Sequence, residues 1–328
     1  MSTPRRTPAH SPADTLANSP AHSGSSPDSG TPPLDEALVR RLIAGRFPRW
    51  AGLPVERVPS GGTVNAMFRL GPDLVVRLPL RADGAEDVLR EQEWLPRLAP
   101  LLPVAVPEVV DAGEPAEGYP WPWSVHRWLP GRHPGTGAPG GAVQLAHELG
   151  EFVAAMRRVE LPGAPAAYRG GPLASLDGET RAAIEALRGL PEEGVDRAAV
   201  TAVWQEALRA PGPAGEPVWL HADLMPGNLL VADGRLTAVI DFGCAGRGDP
   251  ACDLFPAWNL LPAGAREVFR ETLGADEATW VRGRARTLSQ ALISLPHHRT
   301  GNPAMAENAR HVIRAVLAES GYCGSGEA

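Results

Sequence analysis

A chain of 328 residues suits one large or two coupled domains with an ample core, and its formal charge of −7 argues against a general nucleic-acid binder. Three cysteines, Cys244, Cys252 and Cys323, lack metal-ligand spacing and favour a reducing, cytoplasmic setting over a disulfide framework. All 31 residues counted as Lys or Arg are arginine, which excludes a Walker-type phosphate loop and a pyridoxal-phosphate Schiff base, since both require lysine.

Residues 1–33 are rich in Pro, Ser, Thr, Gly and Ala and hold almost no large apolar side chain, so they are predicted to be a disordered tail. Arg5-Arg6 has no apolar run behind it and does not read as a secretory signal. No apolar run anywhere reaches the roughly 18 residues of a membrane span. Leu34 to Phe47 has the spacing of an amphipathic helix, with Leu38, Leu42 and Ile43 on one face. A strand at Val55–Pro59 and another at Ala66–Leu70 flank Ser60-Gly61-Gly62-Thr63-Val64-Asn65. Small residues there allow either a flap whose backbone approaches a phosphate closely or an ordinary turn.

Leu74-Val75-Val76-Arg77-Leu78 reads as a buried strand carrying one arginine, a charge that is costly without a partner. The helix predicted over Ala85 to Leu102 offers that partner. Glu91 falls on the same stripe as Val88, Leu95 and Leu98, and an acid on an apolar face needs a cation. A strand at Val109–Ala112 and a Trp-rich strand from Trp123 to Leu129 complete the β-rich part. Helices are expected at Ala142–Val159, Glu179–Leu190, Asp196–Ala210 and Asp253–Leu261. Three more lie between Arg266 and Ser320, where Arg282, Arg284 and Arg286 read as a solvated charged face.

The helical part is interrupted by Trp219 to Gly243. Leu229–Val231 and Leu236–Ile240 flank Asp233-Gly234, a strong hairpin signal. Folding that hairpin brings Asn228 and Asp241 to neighbouring strand ends, with Asp223 on the loop before them. Two oxygen ligands suit Mg²⁺, a hard cation, and a separate carboxylate can orient an alcohol and take its proton. Asp223 is therefore the candidate catalytic base, and Asn228 and Asp241 are the candidate metal ligands.

His221-Ala222-Asp223-Leu224-Met225-Pro226-Gly227-Asn228 followed by Ile240-Asp241-Phe242-Gly243 resembles the catalytic loop and metal motif of the protein-kinase-like fold. Its spelling, with the later Asp249-Pro250-Ala251-Cys252-Asp253-Leu254, is similar to the aminoglycoside phosphotransferase family. The resemblance implies an α+β, bilobal architecture: a small antiparallel nucleotide-binding lobe at 34–131 and a mainly helical catalytic and acceptor-binding lobe at 132–323. It implies that Ser60, Gly61, Gly62 and Thr63 cover the phosphates. Arg77 and Glu91 would stand in for the usual lysine–glutamate pair, and main-chain groups near Arg127 and Leu129 would meet the purine. Arginine for lysine replaces a point charge by a planar fork.

The function expected is Mg²⁺-dependent transfer of the γ-phosphoryl group of ATP or GTP to a hydroxyl of an aminoglycoside or similar antibiotic. A metabolic kinase of an amino alcohol or sugar and a non-catalytic nucleotide-binding module remain alternatives. Asp253, Glu267, Glu271, Asp276 and Glu277 could supply an acidic acceptor pocket, or Trp258 and Trp280 could line a site for a less charged acceptor. Neither a nucleic-acid nor a membrane partner is expected.

Overall fold

Leu74–Pro79 is buried at every position because both faces of its sheet are covered, which is why it reads as a continuous apolar run broken by one charge. In the computed structural model, which describes residues 33–59, 64–135, 141–190 and 195–322, this strand is the centre of a five-stranded antiparallel sheet. The strands are β1 (Val55–Arg57), β2 (Asn65–Leu70), β3 (Leu74–Pro79), β4 (Val109–Gly113) and β5 (Trp123–Arg127), in the order β1-β2-β3-β5-β4.

Side chains alternate between the two faces of a strand. Val76 and Leu78 join Phe68, Trp123 and Val125 in a core closed by Leu38, Leu42, Ile43 and Phe47 of helix α1 (Glu36–Arg46). Asp35 starts that helix by accepting the Leu38 amide at 2.8 Å. The opposite face carries Val75 and Arg77, whose cross-strand partners are His126 and Ser124. Polar groups thus collect on the face that looks away from α1. His126 is 1% exposed there, its Nε2 2.8 Å from Ser124 Oγ, and burial together with Arg77 pushes its pKa down.

Helix α2 (Ala82–Leu98) follows β3 and buries Val88, Glu91, Trp94, Leu95 and Leu98 on one stripe. Trp94, Leu95 and Leu98 belong to a second, larger core made mainly by the helices that follow. These are α3 (Ala142–Arg157), α4 (Asp177–Ala186), α5 (Arg197–Arg209), α6 (Pro256–Asn259), α7 (Ala263–Leu273), α8 (Glu277–His298) and α9 (Pro303–Glu319). No described helix is long and apolar enough to cross a membrane.

Two short antiparallel ribbons are set into this helical part. β6 (Val218–Leu220) pairs with β9 (Gly246–Gly248), and β7 (Leu229–Ala232) pairs with β8 (Arg235–Val239). Asp233 and Gly234 turn the β7–β8 hairpin with φ of 50° and 76°, the left-handed pair that this tight turn requires. The α+β division expected from the sequence is therefore present, with a sheet first and helices plus a hairpin after it. The predicted tail lies outside the described residues, apart from Pro33.

Two expectations are overturned. Arg282, Arg284 and Arg286 are 3%, 9% and 4% exposed and do not form a solvated face. Helix α8 is enclosed by its neighbours, so its arginines point into protein and are paired. Arg282 grips Asp249 through Nε and Nη2, both at 3.1 Å, and Arg286 Nη2 reaches the same carboxylate at 3.3 Å. The indole rings of Trp258 and Trp280 likewise do not line a site. They are 0% and 4% exposed, pack 4.7 Å apart, and both donate to Glu319.

Candidate active site

The loop between β6 and β7 is held from beneath by one buried carboxylate. Asp253 is fully buried and accepts the amides of His221 at 2.8 Å and Ala222 at 2.7 Å. Burial pushes its carboxyl up, against the opposing pull of His221 and those two amides. Ala222 has φ 64°, an uncommon left-handed conformation for a residue with a Cβ, and the Asp253 clamp fixes it there.

His221 braces the loop from the other side. Its Nδ1 accepts the Asp223 amide at 3.2 Å, and its Nε2 lies 3.1 Å from the Ile240 carbonyl. An acceptor on Nδ1 and a carbonyl facing Nε2 specify the Nε2–H tautomer. The ring lies against Phe242 with centroids 4.6 Å apart.

Asn228 then ties the candidate residues together. Its Nδ2 donates to the Asp223 carbonyl at 2.8 Å and to Asp223 Oδ2 at 2.9 Å, while its main-chain oxygen accepts the Ile240 amide at 2.9 Å. Both amide hydrogens are engaged, which leaves Oδ1 as the end without a hydrogen-bond partner among the described residues. Asp241 follows Ile240 with φ 69°, a second left-handed non-glycine residue at the same rim.

The opposing lobe reaches Asp241 through Arg77. One guanidinium nitrogen donates to Glu91 Oε2 and another to Asp241 Oδ1 at 3.0 Å. Glu91, 1% exposed, also accepts the Phe242 amide at 2.8 Å through its other oxygen. Burial works against the Arg77 charge, but Glu91 and Asp241 outweigh it and raise its pKa. Burial, with Glu91 and Asp223 as like-charged neighbours, pushes the Asp241 carboxyl up against the pull of Arg77. Its side chain still keeps 38% exposure.

Two residues without a sequence signal complete the surroundings. Asp87, one turn before Glu91, lies against Gly243, where a Cβ would come within 2.7 Å of it. Burial raises its pKa to about 6, although Arg90 opposes this. Arg169, in the loop between α3 and α4, donates through Nη1 to Asp223 Oδ1. Burial opposes its charge, but Asp223 beside it raises its pKa. A lone arginine in a Gly/Pro-rich loop has no periodicity or motif, so only the tertiary fold reveals its partner.

That loop is stitched to β9. Arg247 donates to the Pro165 carbonyl at 2.8 Å, Ala167 donates to the Arg247 carbonyl at 3.0 Å, and Asp249 donates to the Gly170 carbonyl at 2.8 Å. The chains approach so closely that a Cβ on Gly248 would lie 2.4 Å from Gly170 Cα.

The structure brings Asp223 and Asn228 into one hydrogen-bonded pair and Arg77, Glu91 and Asp241 into another set, the two meeting where the Asn228 carbonyl accepts the amide of Ile240, just before Asp241. Ser60, Gly61, Gly62 and Thr63 lie outside the described residues. At the expected hinge, the Arg127 amide donates to the Glu108 carbonyl at 2.9 Å, so it is not a free donor. The Leu129 amide takes no backbone partner among the described residues. Nearby, Trp128 carries the Arg69 guanidinium 4.0 Å above its ring, and the two border a cavity of about 460 Å³ with Glu56, Arg57 and Gly71.

The chain is similar to known proteins in sequence and in fold. The phosphotransferase enzyme family matches residues 55–288. The aminoglycoside 3'-phosphotransferase of Escherichia coli is 34% identical over 88 residues, 22% of this chain, and the aligned part spans only 32% of that relative's length. Among solved structures, the GDP complex of wild-type aminoglycoside 2'-phosphotransferase-IIIa superposes with a TM-score of 0.69 at 20% identity, over 87% of this chain and 99% of that one. Apoenzyme macrolide 2'-phosphotransferase MphH from Brachybacterium faecium gives 0.56 at 26% identity, over 85% and 98%. These likenesses identify the fold as the bilobal, kinase-like one.

Proposed function

Since the chain belongs to the phosphotransferase enzyme family and has its bilobal fold, we propose that it moves the γ-phosphoryl group of ATP or GTP to a hydroxyl of a small molecule of the antibiotic type. One observation carries this reading. Asp223, Asn228 and Asp241 meet at one rim, and Arg77 reaches that rim from the other lobe.

Asp223 accepts the acceptor's proton as its oxygen attacks the γ-phosphorus in line. The new O–P bond forms, the bond to the β,γ-bridging oxygen breaks, and the nucleoside diphosphate leaves with that electron pair. Asn228 orients the Asp223 carboxylate through Nδ2. Arg77, held by Glu91, places positive charge beside the phosphates, so catalysis rests on positioning and charge.

The donor set fits Mg²⁺: the Asn228 amide oxygen is free of the bonds that fix its nitrogen, and Asp241 keeps one oxygen clear of Arg77. Among the described residues no cluster of three or more His, Cys, Asp or Glu could hold a metal alone. Asn228 and Asp241 would therefore share the ion with phosphate oxygens. The ion would neutralise charge on the phosphates. MphH and aminoglycoside 2'-phosphotransferase-IIIa are named for antibiotic acceptors, which supports the acceptor type.

The test is Mg²⁺-dependent consumption of ATP and of GTP against aminoglycosides, macrolides and small amino alcohols, with Asp223→Asn alongside. The variant is expected to lose about 10²- to 10⁴-fold in kcat, the usual contribution of a positioned base. Turnover near the wild-type rate would remove Asp223 from the mechanism.

A further inference from the structure

The two oxygens of Asp223 face different partners. Oδ2 takes Asn228, on the side of the candidate metal residues, and Oδ1 takes Arg169. With metal and nucleotide on the Oδ2 side, in-line transfer would bring the acceptor oxygen, opposite the leaving group, to the Oδ1 side. A cation already stands there.

Its placement is built, not incidental. The Gln290 amide of α8, oriented so that its oxygen faces the guanidinium, accepts Arg169 Nε at 2.6 Å and Nη1 at 2.9 Å. The Arg169 carbonyl accepts Arg286 Nη1 at 3.0 Å, and the Gly171 carbonyl accepts Arg286 Nη2. Arg286 is itself locked to Asp249. The side chain keeps 33% exposure, and its Nη2 has no protein partner among the described residues. A rigid, partly open guanidinium with a free donor can bind an oxygen of a ligand.

The acids that could have made this rim attractive to ammonium groups are engaged elsewhere. Asp253 lies buried under the catalytic loop, Asp276 caps α8 by accepting the Thr279 amide at 2.6 Å, and Glu277 pairs with Arg270 at 2.6 Å. Asp249 is held by Arg282 and Arg286. Glu319 takes Trp258, Trp280 and Arg266. Glu267 and Glu271 are exposed on α7, the helix that packs against α3.

Resting on the phosphotransferase reading above, we propose that Arg169 is a specificity-determining residue. It selects an acceptor whose reacting hydroxyl is flanked by oxygen groups, such as carboxylate, carbonyl or further hydroxyls, and disfavours a polyamine-bearing acceptor. The chemistry is that of charge: a fixed cation within contact of the reacting centre repels an ammonium group and donates to an oxygen.

The test reads binding without turnover. Kanamycin, a polycation, is titrated calorimetrically into the full chain with Mg²⁺ and a non-hydrolysable nucleotide. Wild type is compared with Arg169→Glu, with Arg169→Gln and with Arg188→Glu, which makes the same charge change at a side chain 69% exposed. Thermal melts establish that each variant is folded.

Arg169→Glu is expected to bind kanamycin at least tenfold more tightly than Arg188→Glu does, with Arg169→Gln between. A difference under threefold, including no measurable binding to any form, overturns the proposal. Failure of the parent reading looks different: the binding gain appears, but no wild-type phosphoryl transfer is found with any acceptor.

Discussion

Asp87 illustrates how one carboxyl can work against its own fold. Its pKa is raised from 3.8 to about 6 by burial, so the native state holds its proton more tightly than the unfolded chain does. Its favourable contribution is thus complete below the ordinary value and is lost as pH rises through about 6, leaving a penalty at neutral pH. Asp87→Asn should raise the melting temperature at pH 7 and leave it close to wild type near pH 4. An equal gain at both pH values would contradict the burial argument. Asp87 could not be singled out from the sequence, because its environment comes from Gly243, far along the chain. Arg77 and Glu91 could, because a charge in an apolar strand and an acid on an apolar helix stripe each call for a partner. What the sequence did not reveal is that the fork of Arg77 has a second tine on Asp241.

Helix α8 is the element that sequence patterning misjudged. Three arginines at alternate positions spread around a helix, which on an exposed helix would be a wet surface. Here Arg282 and Arg286 are one turn apart and close on Asp249, while Arg284 turns toward Glu206 at 3.8 Å and Glu319 at 4.0 Å. Burial works to raise the Asp249 carboxyl, but the two arginines and the Ala251 amide overcome it and hold it below the usual range. A depressed carboxyl stabilises the fold above its unfolded pKa, and that stability is lost as pH falls through the depressed value. Asp249→Asn should therefore destabilise strongly at pH 7, by about 3–5 kcal/mol for a broken buried pair. The gap to wild type should narrow as acid protonates the wild-type carboxylate. Denaturant titrations across that range check it, and a gap that stays constant would argue that packing, not charge, is responsible. The β7–β8 hairpin was legible for the opposite reason: its turn chemistry and flanking strands are local, and Asn228, Asp233 and Asp241 sit within one short stretch.

At the scale of the molecule, α2 ties the sheet to the helical part: it follows β3 directly, and its Trp94, Leu95 and Leu98 pack into the helical core. Glu91 is the polar counterpart of that joint, accepting Arg77 from one lobe and the Phe242 amide from the other. Glu91→Ala should cost about 3–5 kcal/mol, because Arg77 stays buried with half its partners gone. It should also split a single calorimetric transition into two as the sheet lobe melts first; one sharp transition in the variant would assign the coupling to the apolar contacts alone. The stitched loop carrying Arg169 has an implication for how such a chain can change over generations. Its ends are sewn to β9 where Gly170 and Gly248 touch backbone to backbone, while the Arg169 side chain beside them is held by Asp223, Gln290 and the face of the Tyr168 ring. A mutational library across 165–171 should find the glycine intolerant and the arginine exchangeable. Acceptor preference could then drift by single codons at one rim, while Asp223, Asn228 and Asp241 themselves are kept.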